Sequence, residues 1–122
     1  MSEHSHLKQM SFHDSLLTDF RWKDSSIELE CEGVLVGDKK YFVSLIIFRV
    51  SSLLIDNQSV QHTNDLLMEG EEGDIFRLKL SNNNVLLYVE WENYVVKDKI
   101  WREYQIVGEN IIVLIGDEIP ED

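Results

Sequence analysis

Along most of this chain apolar and polar residues take turns. In Ile27-Glu28-Leu29-Glu30-Cys31-Glu32 the apolar side chains fall at every second position, the spacing that gathers them on one face of a β-strand. Ile27, Leu29 and Cys31 would turn inward and leave Glu28, Glu30 and Glu32 as an outward row of carboxylates. Val85, Leu87, Val89 and Trp91 alternate in the same way with Leu86, Tyr88, Glu90 and Glu92. Leu16 to Lys23 reads as a third half-buried strand, with Leu16, Thr18, Phe20 and Trp22 on one face. Leu16, Leu17 and Phe20 also fit a helical stripe, which leaves a helix near the N-terminus as the competing reading. Tyr41 to Val50 is apolar at nearly every position, the pattern of a central strand covered on both sides.

Residues that favour turns separate these segments. Asp24-Ser25-Ser26, Gly37-Asp38-Lys39, Asp56-Asn57, Ser81 to Asn84 and Gly108-Glu109-Asn110 supply the side chains that tight connections need, and Gly33 marks a bulge or bend. Leu53 to Ile55 forms a short strand, and Leu66 to Glu69 is expected to pair with Ile75 to Leu80 across the loop Gly70 to Asp74. Thr63 or Asn64 can cap a single helical turn. Ile100 to Val107 and Ile111 to Ile115 complete the set. The predicted fold is mainly β: an antiparallel β-sandwich or open barrel of about eight strands with little helix.

A chain of 122 residues matches one domain of common size, about 100–150 residues, here with a polar N-terminal tail (1–11) and an acidic C-terminal tail (117–122). Asp and Glu number 23 against 11 Lys and Arg, for a formal net charge of −12. That balance repels nucleic acid and anionic membrane at long range, so neither is expected as a partner. Cys31 is the single cysteine and has no internal disulfide partner; its place in the core-facing row reads as a small hydrophobe. The first residues carry no apolar signal segment, and the run Ile111 to Ile115 falls far short of the roughly 20 residues that span a bilayer. The expected location is cytoplasmic.

Catalytic frameworks are hard to assemble. His4, His6, His13 and Asp14 carry metal-binding groups, yet no HExxH or CxxC spacing accompanies them, and no metal or cofactor is predicted. His13-Asp14-Ser15 invites a hydrolase reading, but neighbours in a strand point to opposite faces and no G-x-S-x-G elbow is present. Asp14 and Ser15 are better read as acceptors of backbone N–H groups at the entry to the first strand. Glu69, Glu71, Glu72 and Asp74 lack the spacing of a calcium loop. No catalytic residue is assigned. A small-molecule or hydrolytic site near His13 and Asp14 stands as the alternative, and an assembly subunit that pairs edge strands with a copy of itself as another.

The aromatic-His-Asp-Ser-x-Leu opening at Phe12 to Leu17, the charged hairpin after it and the Ile27-Glu28-Leu29 strand resemble small bacterial all-β proteins of uncharacterised families. Some of these are regarded as immunity proteins of polymorphic-toxin systems. The matching stretch is Phe12 to Val36. What the resemblance implies is a stoichiometric binder that occludes a toxin without catalysis, with no functional residue to carry over.

The acidic rows give that implication a physical form. Arg77 and Lys79 could neutralise the carboxylates across strands, each pair contributing about 0.2–1 kcal/mol. Left uncompensated, the rows would steer in a basic protein and hold it in a salt-sensitive complex. Tyr88 shares a face with Glu90 and Glu92, a mixture suited to Arg or Lys. Tyr94 lies two positions on from Glu92 and belongs to the same mixture, while Trp22, Trp91, Trp101 and Tyr104 are large aromatics of the kind that usually fill cores. The expected contacts are therefore Glu28, Glu30, Glu32, Tyr88, Glu90 and Glu92.

Overall fold

The structure, a computed structural model, describes residues 10–61, 67–93 and 98–120. Its strands are β1 (Met10–Ser11), β2 (Leu16–Lys23), β3 (Ser26–Val36), β4 (Lys39–Phe48), β5 (Ser52–Ile55), β6 (Gln58–Ser59), β7 (Gly73–Ser81), β8 (Asn84–Asn93), β9 (Asp98–Val107) and β10 (Asn110–Glu118). They form one open antiparallel sheet in the order β10-β4-β3-β2-β7-β8-β9-β5-β6, with β1 alongside the end of β3. The mainly-β fold follows the alternation. Ten strands replace the expected number of about eight largely because β1 and β6, with 2 residues each, are too short to leave a period.

Tight turns join the neighbours. Asp24, Gly37, Asp56, Asn57 and Asn82 sit at positive φ of 55°, 68°, 51°, 66° and 46°, where Gly, Asn and Asp are tolerated best. Between β2 and β7, by contrast, pairing is confined to Leu16↔Asp74 and Leu17↔Gly73. There the sheet folds over, and the β10-β4-β3-β2 leaf comes to face β7-β8-β9. Phe20 and Tyr104 meet edge to face across the interior, ring centres 5.0 Å apart. Leu17, Phe20, Ile27, Leu29, Leu45 and Ile47 from one leaf and Ile75, Val85, Leu87, Val89, Trp91 and Ile106 from the other are buried in a single cluster. Each such side chain contributes about 1.5–3 kcal/mol by leaving water.

Gly73 sits at the fold-over. It is buried, pairs with both Leu17 and Trp91, and a Cβ there would press on Val89 Cγ1 and come within 2.9 Å of the Trp91 ring. Only a residue without a side chain lets the indole lie this close to the backbone.

Bulges move several side chains off the faces that strict alternation assigns. Pairing of β2 with β3 shifts between Leu17 and Asp19, so Leu17, expected outside, is buried with Phe20 and Trp22, while Leu16 is only partly buried. One inserted residue reverses every side chain before it. Gly33, at φ 88°, makes the expected bulge in β3, between Glu32 and Val34.

Other expectations are corrected. Among the described residues β4 is covered on one side only: Val43, Leu45 and Ile47 are buried, but Phe42 is exposed and Ile46 and Phe48 are half-buried. Its apolar outer positions lie instead beside those of β10, with Ile46 opposite Ile112. Leu67 to Glu69 is not a strand; Leu67 donates its N–H to the Phe20 carbonyl at 2.8 Å, and β7 begins at Gly73. Asp117 and Glu118 are not a loose tail but the end of β10, where Lys39 pairs with Glu118 at 3.6 Å. Met10 and Ser11 likewise pair, with Val36 and Leu35. The helical turn expected at Thr63 or Asn64, Tyr94, His4, His6 and His62 lie outside the described residues. Among the described residues no helix is long and apolar enough to cross a membrane.

Candidate functional site

A bulge also shapes the outer face of β7-β8-β9. Pairing of β7 with β8 shifts between Ile75 and Arg77: Ile75 is buried while Phe76, the extra residue, is turned out and 56% exposed. On β9, Ile100, Arg102, Tyr104 and Ile106 share the inner register, leaving Trp101, opposite Glu90, on the outside and 52% exposed. The Phe76 and Trp101 rings meet edge to face at 5.5 Å, and the His13 ring abuts Phe76 in the same manner at 5.4 Å. His13 Nδ1 lies 2.7 Å from the Phe76 carbonyl oxygen; a carbonyl only accepts, so this nitrogen carries the proton.

Carboxylates surround the rings. Asp14, Asp74 and Glu90, with Ile75, Phe76 and Trp101, line a concavity of about 320 Å³. Lys99 Nζ reaches Glu90 Oε1 at 3.1 Å from the rim, and that hydrogen bond, with the nearby charges of Glu90, Glu92 and Asp74, raises the lysine pKa. Asp14 Oδ2 stands 3.5 Å from His13 Nε2. Tyr88, next along β8, donates its hydroxyl to Glu103 Oε1 at 3.3 Å. Arg77 and Lys79, the alternative source of neutralisation for the acidic rows, form no ion pair among the described residues; the pairing lysine on this face is Lys99.

The expected contacts do not form one patch. Tyr88, Glu90 and Glu92 lie on this face, whereas Glu28, Glu30 and Glu32 line the outer face of the opposite leaf. There Glu28 stands across from Arg21 and Ile46, Glu30 from Asp19 and Ser44, and Glu32 from Leu16 and Phe42. Arg21 is hydrogen-bonded to Asp19, at 3.0 and 3.1 Å, and its charge also bears on Glu28 across the pair; farther along, the row borders the exposed side chains of Phe42 and Leu114.

The hydrolytic alternative fares differently. His13 and Asp14 do come together, at the aromatic concavity, but Ser15 is fully buried and its Oγ donates to the Phe12 carbonyl at 2.6 Å. The hydroxyl is thus a donor in the turn, not the acceptor expected from sequence, and it does not converge with His13. Asp14, at φ 67°, is the turn residue. Among the described residues no group of three or more His, Cys, Asp or Glu is placed to hold a metal ion. Cys31 is buried, and burial pushes its thiol up to about 12, the state of an inert core side chain.

A polar network closes one end of the folded sheet. Arg102 projects from the inner face of β9 and grips Glu69 through Nε at 2.6 Å and Nη2 at 3.1 Å, and Asp56 through Nη1 at 2.9 Å. Asp56 also accepts the Glu103 N–H at 2.9 Å. These pairs raise the Arg102 pKa. Both acceptor carboxylates tie connections to the sheet: Asp56 the β5–β6 turn, Glu69 the segment before β7. All three guanidinium nitrogens of Arg102 are committed to these two carboxylates, and the two carboxylates more than balance its charge against an anionic ligand.

No known protein family, curated protein or solved structure matches this chain.

Proposed function

We propose that this is a non-catalytic, cytoplasmic protein-binding domain that presents an acidic face to a basic protein, in the manner of an immunity-like inhibitor that masks a toxin's cationic surface. The observation that carries the reading is the hollow on the outer face of β7-β8-β9, where exposed Phe76 and Trp101 stand among Asp14, Asp74 and Glu90; Lys99 pairs with Glu90 at its rim, and Arg77 and Lys79 lie on the same face of β7 without lining it. Large aromatics in water are costly unless something covers them, and aromatics beside an excess of carboxylates suit a partner that brings both apolar surface and positive charge. A net charge of −12 would steer such a partner in from a distance. Glu28, Glu30 and Glu32, on the far leaf, add to that field and could contact a partner large enough to wrap both faces.

The test is retention of basic proteins on the immobilised full chain at low ionic strength. The reading expects a basic protein to be held, released by salt, and lost from a Trp101→Ala/Asp74→Asn variant. Absence of any retained basic protein, or retention indifferent to both changes, would overturn it.

A further inference from the structure

The concavity beside the touching Phe76 and Trp101 rings is specific enough in shape and charge to name what enters it. We propose that it receives one arginine side chain of the basic partner, an assignment that rests on the acidic-face reading above. The two rings stand at 78° to one another with centres 5.5 Å apart, so the hollow has an aromatic wall and an aromatic floor. A guanidinium is flat and weakly hydrated, and stacks on such a surface while its N–H groups point outward in its own plane. Asp14, Asp74 and Glu90 line the same hollow and supply the acceptors those N–H groups need. The volume of about 320 Å³ holds one such side chain and excludes a folded segment.

A lysine is the poorer fit, and this chain's own Lys99 illustrates why. Its ammonium binds Glu90 at 3.1 Å while the side chain stays 68% exposed. A compact, strongly hydrated charge is satisfied at the rim and does not need the rings. Lys99 also sits where an incoming cation would compete for Glu90, so it sets the affinity of the hollow. His13 supports the floor: its ring abuts Phe76 and its Nδ1–H is tied to the Phe76 carbonyl, holding the bulged residue in its outward position.

The experiment is a titration of the isotope-labelled full chain with N-acetyl-arginine N-methylamide and with the matching lysine compound, following the tryptophan indole N–H resonances. The arginine compound is expected to move the Trp101 indole saturably and at least several-fold more tightly than the lysine compound, leaving the buried Trp91 indole unmoved. Asp74→Asn/Glu90→Gln should abolish the response with the Trp91 resonance in place as proof of fold, and Lys99→Met should tighten it about 2- to 5-fold, the scale of an exposed ion pair. Equal responses to both compounds, or a response that survives neutralisation of Asp74 and Glu90, would overturn the pocket. A basic protein held equally by wild type and by Trp101→Ala would also remove the pocket while leaving the acidic face. An arginine response without any retained protein would support the pocket and tell against the partner.

Discussion

The indole N–H of Trp91 on β8 donates to the hydroxyl of Tyr104 on β9 at 2.7 Å, and both side chains are fully buried. The hydroxyl passes its own proton toward Glu69 Oε2, 3.4 Å away. Burial and the Glu69 charge raise the Tyr104 pKa against the opposing bond from Trp91, so the hydroxyl stays protonated and can both accept and donate. Tyr104→Phe keeps the ring contact with Phe20 but leaves the Trp91 N–H buried and unpaired. The expected loss is about 1–3 kcal/mol, seen as a lower urea midpoint at unchanged slope.

Arg102 is the cation that lets Glu69 and Asp56 share one end of the sheet. Arg102→Met retains the apolar stem and removes the charge, leaving two carboxylates side by side. Because these groups are about a third exposed, the expected cost is modest, about 1–2 kcal/mol. Added salt should return part of it by screening the repulsion, whereas wild-type stability should respond far less. Denaturant melts at low and high ionic strength measure both effects.

The same network predicts an acid limb. The Glu103 N–H, and after it Arg102, hold the Asp56 carboxyl below its ordinary value. A folded pKa below the unfolded one means that its stabilisation is complete above the unfolded value, about 3.9, and is lost as pH falls through the folded one. Asp56→Asn, which can still accept the Glu103 N–H, should flatten the stability–pH curve in this window and leave the slope above about pH 5 unchanged. Unfolding free energy measured against pH in the two proteins decides it.

At the fold-over, Gly73→Ala should cost about 1–3 kcal/mol by overpacking, because the new methyl meets Val89 and the Trp91 ring. A chemical melt reads the loss, and the near-ultraviolet signal of the tryptophans should change with it.

Much of this architecture is legible in the alternation of single segments. Ile27 to Cys31 and Val85 to Trp91 bury the residues their period assigns, and Trp101 could have been read as outward from its place between Ile100 and Arg102 in register with Glu103 and Gln105. What the period does not reveal is a bulge. Strict alternation would send Phe76 inward with Leu78 and Leu80; the shift between Ile75 and Arg77 turns it out and creates the aromatic hollow. The bulge beside Leu17 has the same effect in reverse. Nor does local pattern reveal long-range partners: Glu69 reads as part of an acidic loop until the fold brings it to Arg102, 33 residues along. The separation of Glu28, Glu30 and Glu32 from Glu90 and Glu92 has the same origin, since strands that look alike in sequence lie on opposite leaves.

The most direct test of the central claim is the affinity for a retained basic protein, measured against salt concentration for wild type, for Asp74→Asn/Glu90→Gln/Glu92→Gln and for Glu28→Gln/Glu30→Gln/Glu32→Gln. Neutralising the β7-β8-β9 face is expected both to weaken binding at least tenfold and to flatten its salt dependence, while neutralising the β3 row does less. Unchanged affinity and salt slope in the first variant, or a greater loss in the second, would contradict it.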